Sequence, residues 1–340
     1  MKYLIAFALL AAPLYSYPLD GAQKTGIRRL LGYQKLMKLP QGATQSGDLI
    51  KLHLSGDVSF DVRDPYLQAG LDRMFAGRDP SYSIAVLDIS DPAKPLYASV
   101  RADEKRIPGS VGKLFVAAGV FGALQKKFPN DTAARERFLR DTIITADSFV
   151  HSDGKTVPFF EPGAAKITNR RLEIGDKFSF YEWLDHMLSQ SSNAAGSEVW
   201  KNLMLMYDPE AFAKPKKDLA ALALESVEAG LRMSDLDTAK LRIGTFFTSG
   251  GSRVIPGTSS YASPNELLKL LVRIEQGKFI DPWSSLEMKR LLYFSRPRYR
   301  YASAPVLEKA MVYFKSGSLF ECKPEEGFQC VQYKGNVRNL

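Results

Sequence analysis

Two spacings of apolar residues divide this chain. Residues 83–89 and 96–101 are short apolar runs of strand type, and Ser90-Asp91-Pro92-Ala93-Lys94-Pro95 between them reads as the turn of a hairpin. Leu114 to Leu124 is continuously apolar or small, which predicts a helix buried on most sides. Other helices carry their own start and stop signals. Pro65 to Ala76 is amphipathic through Leu67, Leu71, Met74 and Phe75, and Gly77 ends it. Ser179-Phe180-Tyr181-Glu182 and Ser263-Pro264-Asn265-Glu266 are capping boxes, opening helices to about Leu188 and Gln276, the second stopped by Gly277. Thr132 to Thr142 and Asp218 to Leu231 are helical by composition, and Asp281-Pro282 starts a helix to about Leu292. Ala310 to Phe314 reads as a strand. The stretches 18–64, 148–166 and 238–261 show no strong periodicity and read as loop or extension.

With 340 residues and 45% apolar content, the chain can bury a core of one large domain or two smaller ones. The net charge of +9 is scattered, with its densest run from Lys24 to Lys38, and no recognition motif accompanies it. A solvated basic face is therefore expected and nucleic acid is not. Lys2 followed by the apolar Tyr3 to Leu14 reads as a signal peptide ending near Ser16, with an uncleaved anchor as the alternative; the chain is expected in the periplasm or outside the cell. Cys322 and Cys330 flank a Pro324 and Gly327 turn, and in an exported protein a disulfide across that hairpin is expected. The histidines, His53, His151 and His186, are dispersed. Two thiols with no nearby histidine make a poor zinc site, so no metal or cofactor is expected.

The candidate chemistry is a pair of Ser-x-x-Lys matches, about what chance supplies in a chain of this composition. Ser152-Asp153-Gly154-Lys155 lies in a turn, where helical spacing does not apply. Ser110-Val111-Gly112-Lys113 lies where the buried helix begins, so Ser110 and Lys113 share a helix face. A lysine kept neutral by burial or by a neighbouring cation can take a serine's proton. Two further motifs follow in order: Ser191-Ser192-Asn193 between helices, and Lys315-Ser316-Gly317 at the end of the last predicted strand.

That order resembles the penicillin-recognising serine enzymes, the serine β-lactamases and D-alanyl-D-alanine peptidases, and most of all the class A β-lactamase catalytic domain. The likeness runs from about Ser83 to Ser318. It implies that Ser110 is acylated, with Lys113 as its base and Lys315 as the second cation. Ser191 would relay the proton to the leaving nitrogen. Asn193 would bind the substrate's amide side chain, Lys315 and Ser316 a carboxylate, and Gly317 would let substrate approach the strand edge. The Ser110 and Ser318 amides would form the oxyanion hole. Lys24-Thr25-Gly26 is a decoy on this reading.

The sequence also departs from class A. Residues 238–264 contain no Asp or Glu, so the glutamate that activates the deacylating water is missing. Glu228 is the nearest pattern and reads as surface. Ser192 stands where class A has a buried aspartate.

The expected fold is α/β of the α+β type: an antiparallel sheet with helices on both faces, which the Lys315 strand joins, beside a helical part from about 133 to 300. The expected segments are a signal peptide at 1–16, an extension at 17–80 and the hydrolase domain at 81–340. The function expected is an exported acyl-enzyme-forming serine hydrolase, acting on a β-lactam or related amide, peptide or ester, with β-lactam turnover slow. The alternatives are a D-alanyl-D-alanine carboxypeptidase, or a non-catalytic peptidoglycan-binding protein that keeps the fold. A monomer is expected, touching membrane only through an uncleaved signal segment.

Overall fold

The structure is a computed structural model that describes residues 24–36, 39–295, 302–318, 322–325 and 329–332. The expected signal segment lies outside them.

The extension before the hairpin is not featureless. Helix α1 (Arg28–Leu36) docks on the body of the protein through buried Ile27 and Leu30 and through a buried guanidinium. Arg29 meets Asp185 with two bonds, Nε to Oδ2 at 2.5 Å and Nη2 to Oδ1 at 2.5 Å, and donates to Ser189 Oγ at 2.9 Å. A fixed fork against a carboxylate is the geometry in which a buried ion pair is best compensated. Periodicity does not reveal this helix because its anchor is a charged residue. The extension expected at 17–80 therefore includes part of the folded body.

Helix α2 (Pro65–Phe75) is capped by Asp64, which accepts from Leu67 N at 2.8 Å. Strands β1 (Ile84–Asp88) and β2 (Leu96–Val100) form the expected hairpin, with Val86 opposite Ala98. A tight turn at Gly109–Gly112 then leads into α3 (Lys113–Lys127), whose residues 113–124 are all buried. Helix α4 (Thr132–Asp141) follows, then β3 (Ile143–Thr145), β4 (Val157–Phe159), β5 (Thr168–Arg170) and β6 (Lys177–Ser179). Helices α5 (Phe180–Leu188), α6 (Asn193–Tyr207) and α7 (Lys216–Met233) pack around α3. The crossing with α7 is close because α3 presents Gly119: a β-carbon there would stand 2.7 Å from Ser226 O. Strand β7 (Leu241–Arg242), helix α8 (Ser249–Val254), β8 (Tyr261–Ala262), α9 (Pro264–Glu275) and α10 (Pro282–Tyr293) complete the body.

Both predicted capping serines act as expected. Ser179 Oγ accepts from Glu182 N at 3.1 Å, and Ser263 Oγ accepts from Glu266 N at 3.3 Å. The glutamates have tertiary partners: Glu182 accepts from Arg28 N at 3.0 Å, and Glu266 from Asp237 N at 2.8 Å.

The fold is mixed helix with antiparallel strands, as expected, but the strands do not make one sheet. Among the described residues there are five two-stranded pairs: β1–β2, β3–β6, β4–β5, β7–β8, and β9 (Cys322–Glu325) with β10 (Gln329–Gln332). Residues 311–318 join none of them, which corrects the strand expected at Ala310–Phe314 and the sheet it was to extend. Their apolar side chains pack on α10 instead. The Tyr313 ring lies 5.6 Å from that of Tyr293, and Phe314 O accepts from Ser295 Oγ at 2.7 Å. The register of β9 and β10 sets Cys322 opposite Gln332 and Cys330 opposite Pro324, so the two cysteines are a diagonal pair. No described helix is long and apolar enough to cross a membrane.

Candidate active site

The three motifs, 78 and 124 residues apart along the chain in their key contacts, meet around two serine hydroxyls. Lys113 Nζ lies 2.8 Å from Ser110 Oγ, 2.7 Å from Asn193 Oδ1 and 3.2 Å from Ser191 O. Lys315 Nζ donates to Ser191 Oγ at 2.7 Å and to Ser316 O at 2.7 Å. Ser110, Lys113, Ser191 and Lys315 are all buried.

Local backbone explains how each side chain is presented. Gly109 takes a φ of +52°, which turns the chain into the tight turn carrying Ser110 on the first turn before α3. The backbone of Ser318 lies against it: a β-carbon on Gly109 would stand 3.0 Å from Ser318 O and 3.3 Å from Ser318 N. Gly317 is equally confined, since its β-carbon would meet Pro108 O at 2.7 Å and Val111 Cγ2 at 3.1 Å. The segment 315–318 thus reaches the Ser110 turn by backbone proximity, without a strand ladder. Ser191 is a non-glycine residue at φ +58°, a conformation that costs about 1–3 kcal/mol and directs its hydroxyl toward the lysines.

Electrostatics follow from burial. The Lys113 amine is pushed well below the usual lysine range, first by burial, then by Lys155 and Lys315, against the opposing pull of Asp153. Lys315 is pushed the same way, by burial and then by Lys155. An amine pushed in that direction and set 2.8 Å from a serine hydroxyl has the placement that a general base requires.

Asp153 and Lys155 belong to the Ser-x-x-Lys match that helical spacing excludes. They do lie in a turn, yet the turn is part of the site. Asp153 Oδ2 accepts from Ser192 Oγ at 2.8 Å, Asn193 N at 2.6 Å and Ala194 N at 2.9 Å. It therefore anchors the N-terminus of α6, where exposed amides favour negative charge. Where the second motif has Ser192 in place of an aspartate, a carboxylate is supplied from this loop, across 39 residues of sequence. Lys155 Nζ donates to Ser191 O at 2.6 Å and to Ser191 Oγ at 3.1 Å. The duplicated motif and its Asp-Gly turn were the available signals.

The loop between α7 and α9 presents a ring rather than a carboxylate: Phe247 lies 4.5 Å from Lys113 Nζ. Glu228 is not surface but half-buried and paired with Arg242 Nε at 3.1 Å. Glu198 on α6 is raised to about 7 by burial, and its Oε1 accepts from Asp147 N at 2.9 Å. The Lys24-Thr25-Gly26 triplet packs on α4, with Lys24 Nζ 3.0 Å from Glu136. His186 is a core residue beside Phe178, whereas His53 and His151 are exposed.

Comparison with known proteins gives the family of the chain and its fold. The chain belongs to the beta-lactamase enzyme family, which it matches over residues 66–333. Among solved structures it is similar in fold to a beta-lactamase from Chitinophaga pinensis, at 16% identity and a TM-score of 0.50, covering 76% of this chain and 80% of that one. It is similar also to the TLA-3 extended-spectrum beta-lactamase, at 13% identity and a TM-score of 0.52, covering 76% and 79%. No curated protein matches the chain.

Proposed function

We propose that the protein is an exported serine hydrolase that forms an acyl-enzyme on Ser110 with a β-lactam or a related amide, peptide or ester. The observation that carries this reading is the 2.8 Å contact between Ser110 Oγ and a buried Lys113 amine whose ammonium form is disfavoured. In acylation Ser110 Oγ bonds to the substrate carbonyl carbon and gives its proton to Lys113 Nζ. The carbonyl oxygen takes negative charge between the Ser110 and Ser318 amides, where each donor is worth about 3–4 kcal/mol. As the C–N bond breaks, Ser191 passes its proton to the leaving nitrogen and recovers one from the lysines that touch it. Asn193 and the Lys315-Ser316-Gly317 segment hold the substrate's amide and carboxylate.

Deacylation is the weak step. Residues 238–264 carry no carboxylate, and Phe247 covers Lys113 from that side. Asp153 is engaged by three donors at one oxygen and by Lys155 N, at 3.0 Å, on the other. The acyl-enzyme should therefore persist.

Export rests on the signal-like start at Lys2 to Ser16, which also puts Cys322 and Cys330 where oxidation is possible. Incubation with a labelled penicillin followed by peptide mass spectrometry tests the function. The expected result is a lasting adduct on Ser110, absent in Ser110→Ala. Rapid release of hydrolysed drug would refute the slow-deacylation reading, and no adduct from penicillin or an activated ester would refute the enzyme.

A further inference from the structure

The three motifs leave Lys155 unexplained. It sits on a loop that lies outside all three in sequence, yet its ammonium reaches the centre of the site. The loop is built to send it there. The Asp153 carboxylate fixes both ends of the contact, holding Ser192, Asn193 and Ala194 through one oxygen and Lys155 N through the other. Ser152, just before, is a non-glycine residue at φ +73°, and its hydroxyl accepts from Ser249 Oγ at 2.7 Å. Strained backbone on both sides of the contact, at Ser152 and Ser191, persists only where the surroundings impose it.

At the receiving end, Ser191 Oγ is approached by Lys315 Nζ at 2.7 Å and by Lys155 Nζ at 3.1 Å. A hydroxyl has two acceptor lone pairs and one proton. With both lone pairs taken by amines, the proton is left to be donated elsewhere, as delivery to a leaving nitrogen requires. Lys155 also grips Ser191 O at 2.6 Å, an oxygen that Lys113 Nζ shares at 3.2 Å. The Lys155 and Lys113 head groups are therefore neighbours across one carbonyl.

We propose that Lys155 is a positioning residue of this site: its ammonium fixes the Ser191 hydroxyl and sets a positive charge beside the Lys113 amine. The inference rests on the reading of Lys113 as the base for Ser110. The charged groups that act on Lys113 are Lys155 from this loop, Lys315 from the C-terminal segment and Asp153, and neutral Ser110, Ser191, Asn193, Gly196 and Phe247 also lie against it. Of the two cations, Lys155 weighs more heavily on Lys113 than Lys315 does, and it acts on Lys315 as well.

The test uses the full chain as wild type, Lys155→Met, Lys155→Gln and Lys155→Arg, each checked for native circular dichroism. With lysine carbon-13 labelled at Cε, the Lys113 resonance is identified by its loss in Lys113→Met and titrated. The midpoint should rise by about one pH unit or more in the Met and Gln variants, and stay near wild type in Lys155→Arg. The acid limb of acylation by a fluorescent penicillin should move the same way, a loss of about tenfold per pH unit at a fixed pH on that limb. A merely structural lysine would lower the rate at every pH alike and leave the midpoint where it was. An unmoved midpoint in folded Met and Gln variants overturns the inference, whether or not Ser110 is acylated. A midpoint that moves in a protein that penicillin never acylates leaves the Lys155 charge effect standing and sinks the proposed function.

Discussion

His186 should make the fold sensitive to acid, and the size of the effect follows from its surroundings. The imidazole is buried on α5, edge-on to Phe178 at a centroid distance of 5.0 Å. Neither ring nitrogen has a hydrogen-bond partner among the described residues; Nδ1 is 4.0 Å from Asp185 Oδ2, a carboxylate already held by Arg29. Burial, aided by Arg29 and Arg28 and opposed by Asp185 and Asp176, lowers its pKa from 6.5 to about 4. A group whose folded pKa lies below its unfolded value stabilises the fold above the unfolded pKa and loses that stabilisation as pH falls toward the folded one. The gap from 6.5 to about 4 corresponds to roughly 3 kcal/mol in full, with most of it gone by pH 4.5. Urea unfolding at pH 7.5 and pH 4.5 in wild type and His186→Phe isolates this contribution, because the carboxylates that also titrate are common to both. Wild type should lose about 2–3 kcal/mol more than the variant between the two pH values. Equal losses would refute the buried, neutral imidazole.

Asp153→Ala strips the acceptor from Ser192 Oγ, Asn193 N and Ala194 N, and should cost about 1–3 kcal/mol in urea unfolding while reducing acylation of Ser110. A fully stable, fully active variant would show that the carboxylate does not organise the second motif. Arg29→Ala leaves Asp185 buried and unpaired, so a loss of about 3–5 kcal/mol is expected by the same assay. A loss under about 1 kcal/mol, the range of exposed ion pairs, would show that the N-terminal helix is not docked.

The sequence revealed elements wherever local chemistry decides them. The buried helix, the Ser90–Pro95 hairpin and the two capping serines are all where periodicity and caps put them. It failed where a distant partner decides. Helix α1 is held by a buried Arg29, a residue that ordinarily reads as surface. Ala310 to Phe314 looks like a strand because it is a short continuous apolar run, yet Tyr313 packs on Tyr293 and the segment joins no sheet among the described residues. In the site, Ser110, Lys113, Ser191, Asn193 and Lys315 were legible because three short motifs kept their order. Asp153 and Lys155 were not, because a contact across 39 or 36 residues leaves no spacing to read. The missing aspartate at Ser192 shows the limit of motif reading most clearly: the carboxylate is present, delivered by another loop.

The central claim is that Lys113 makes Ser110 a nucleophile. Its most direct measurement is the acylation rate by labelled penicillin, followed by intact-protein mass, in wild type and Lys113→Met, with the modified residue mapped. The account predicts an adduct on Ser110 that forms about 10²- to 10⁴-fold more slowly without the amine. Acylation of Ser110 at the wild-type rate in Lys113→Met, or an adduct on a different residue, would contradict it.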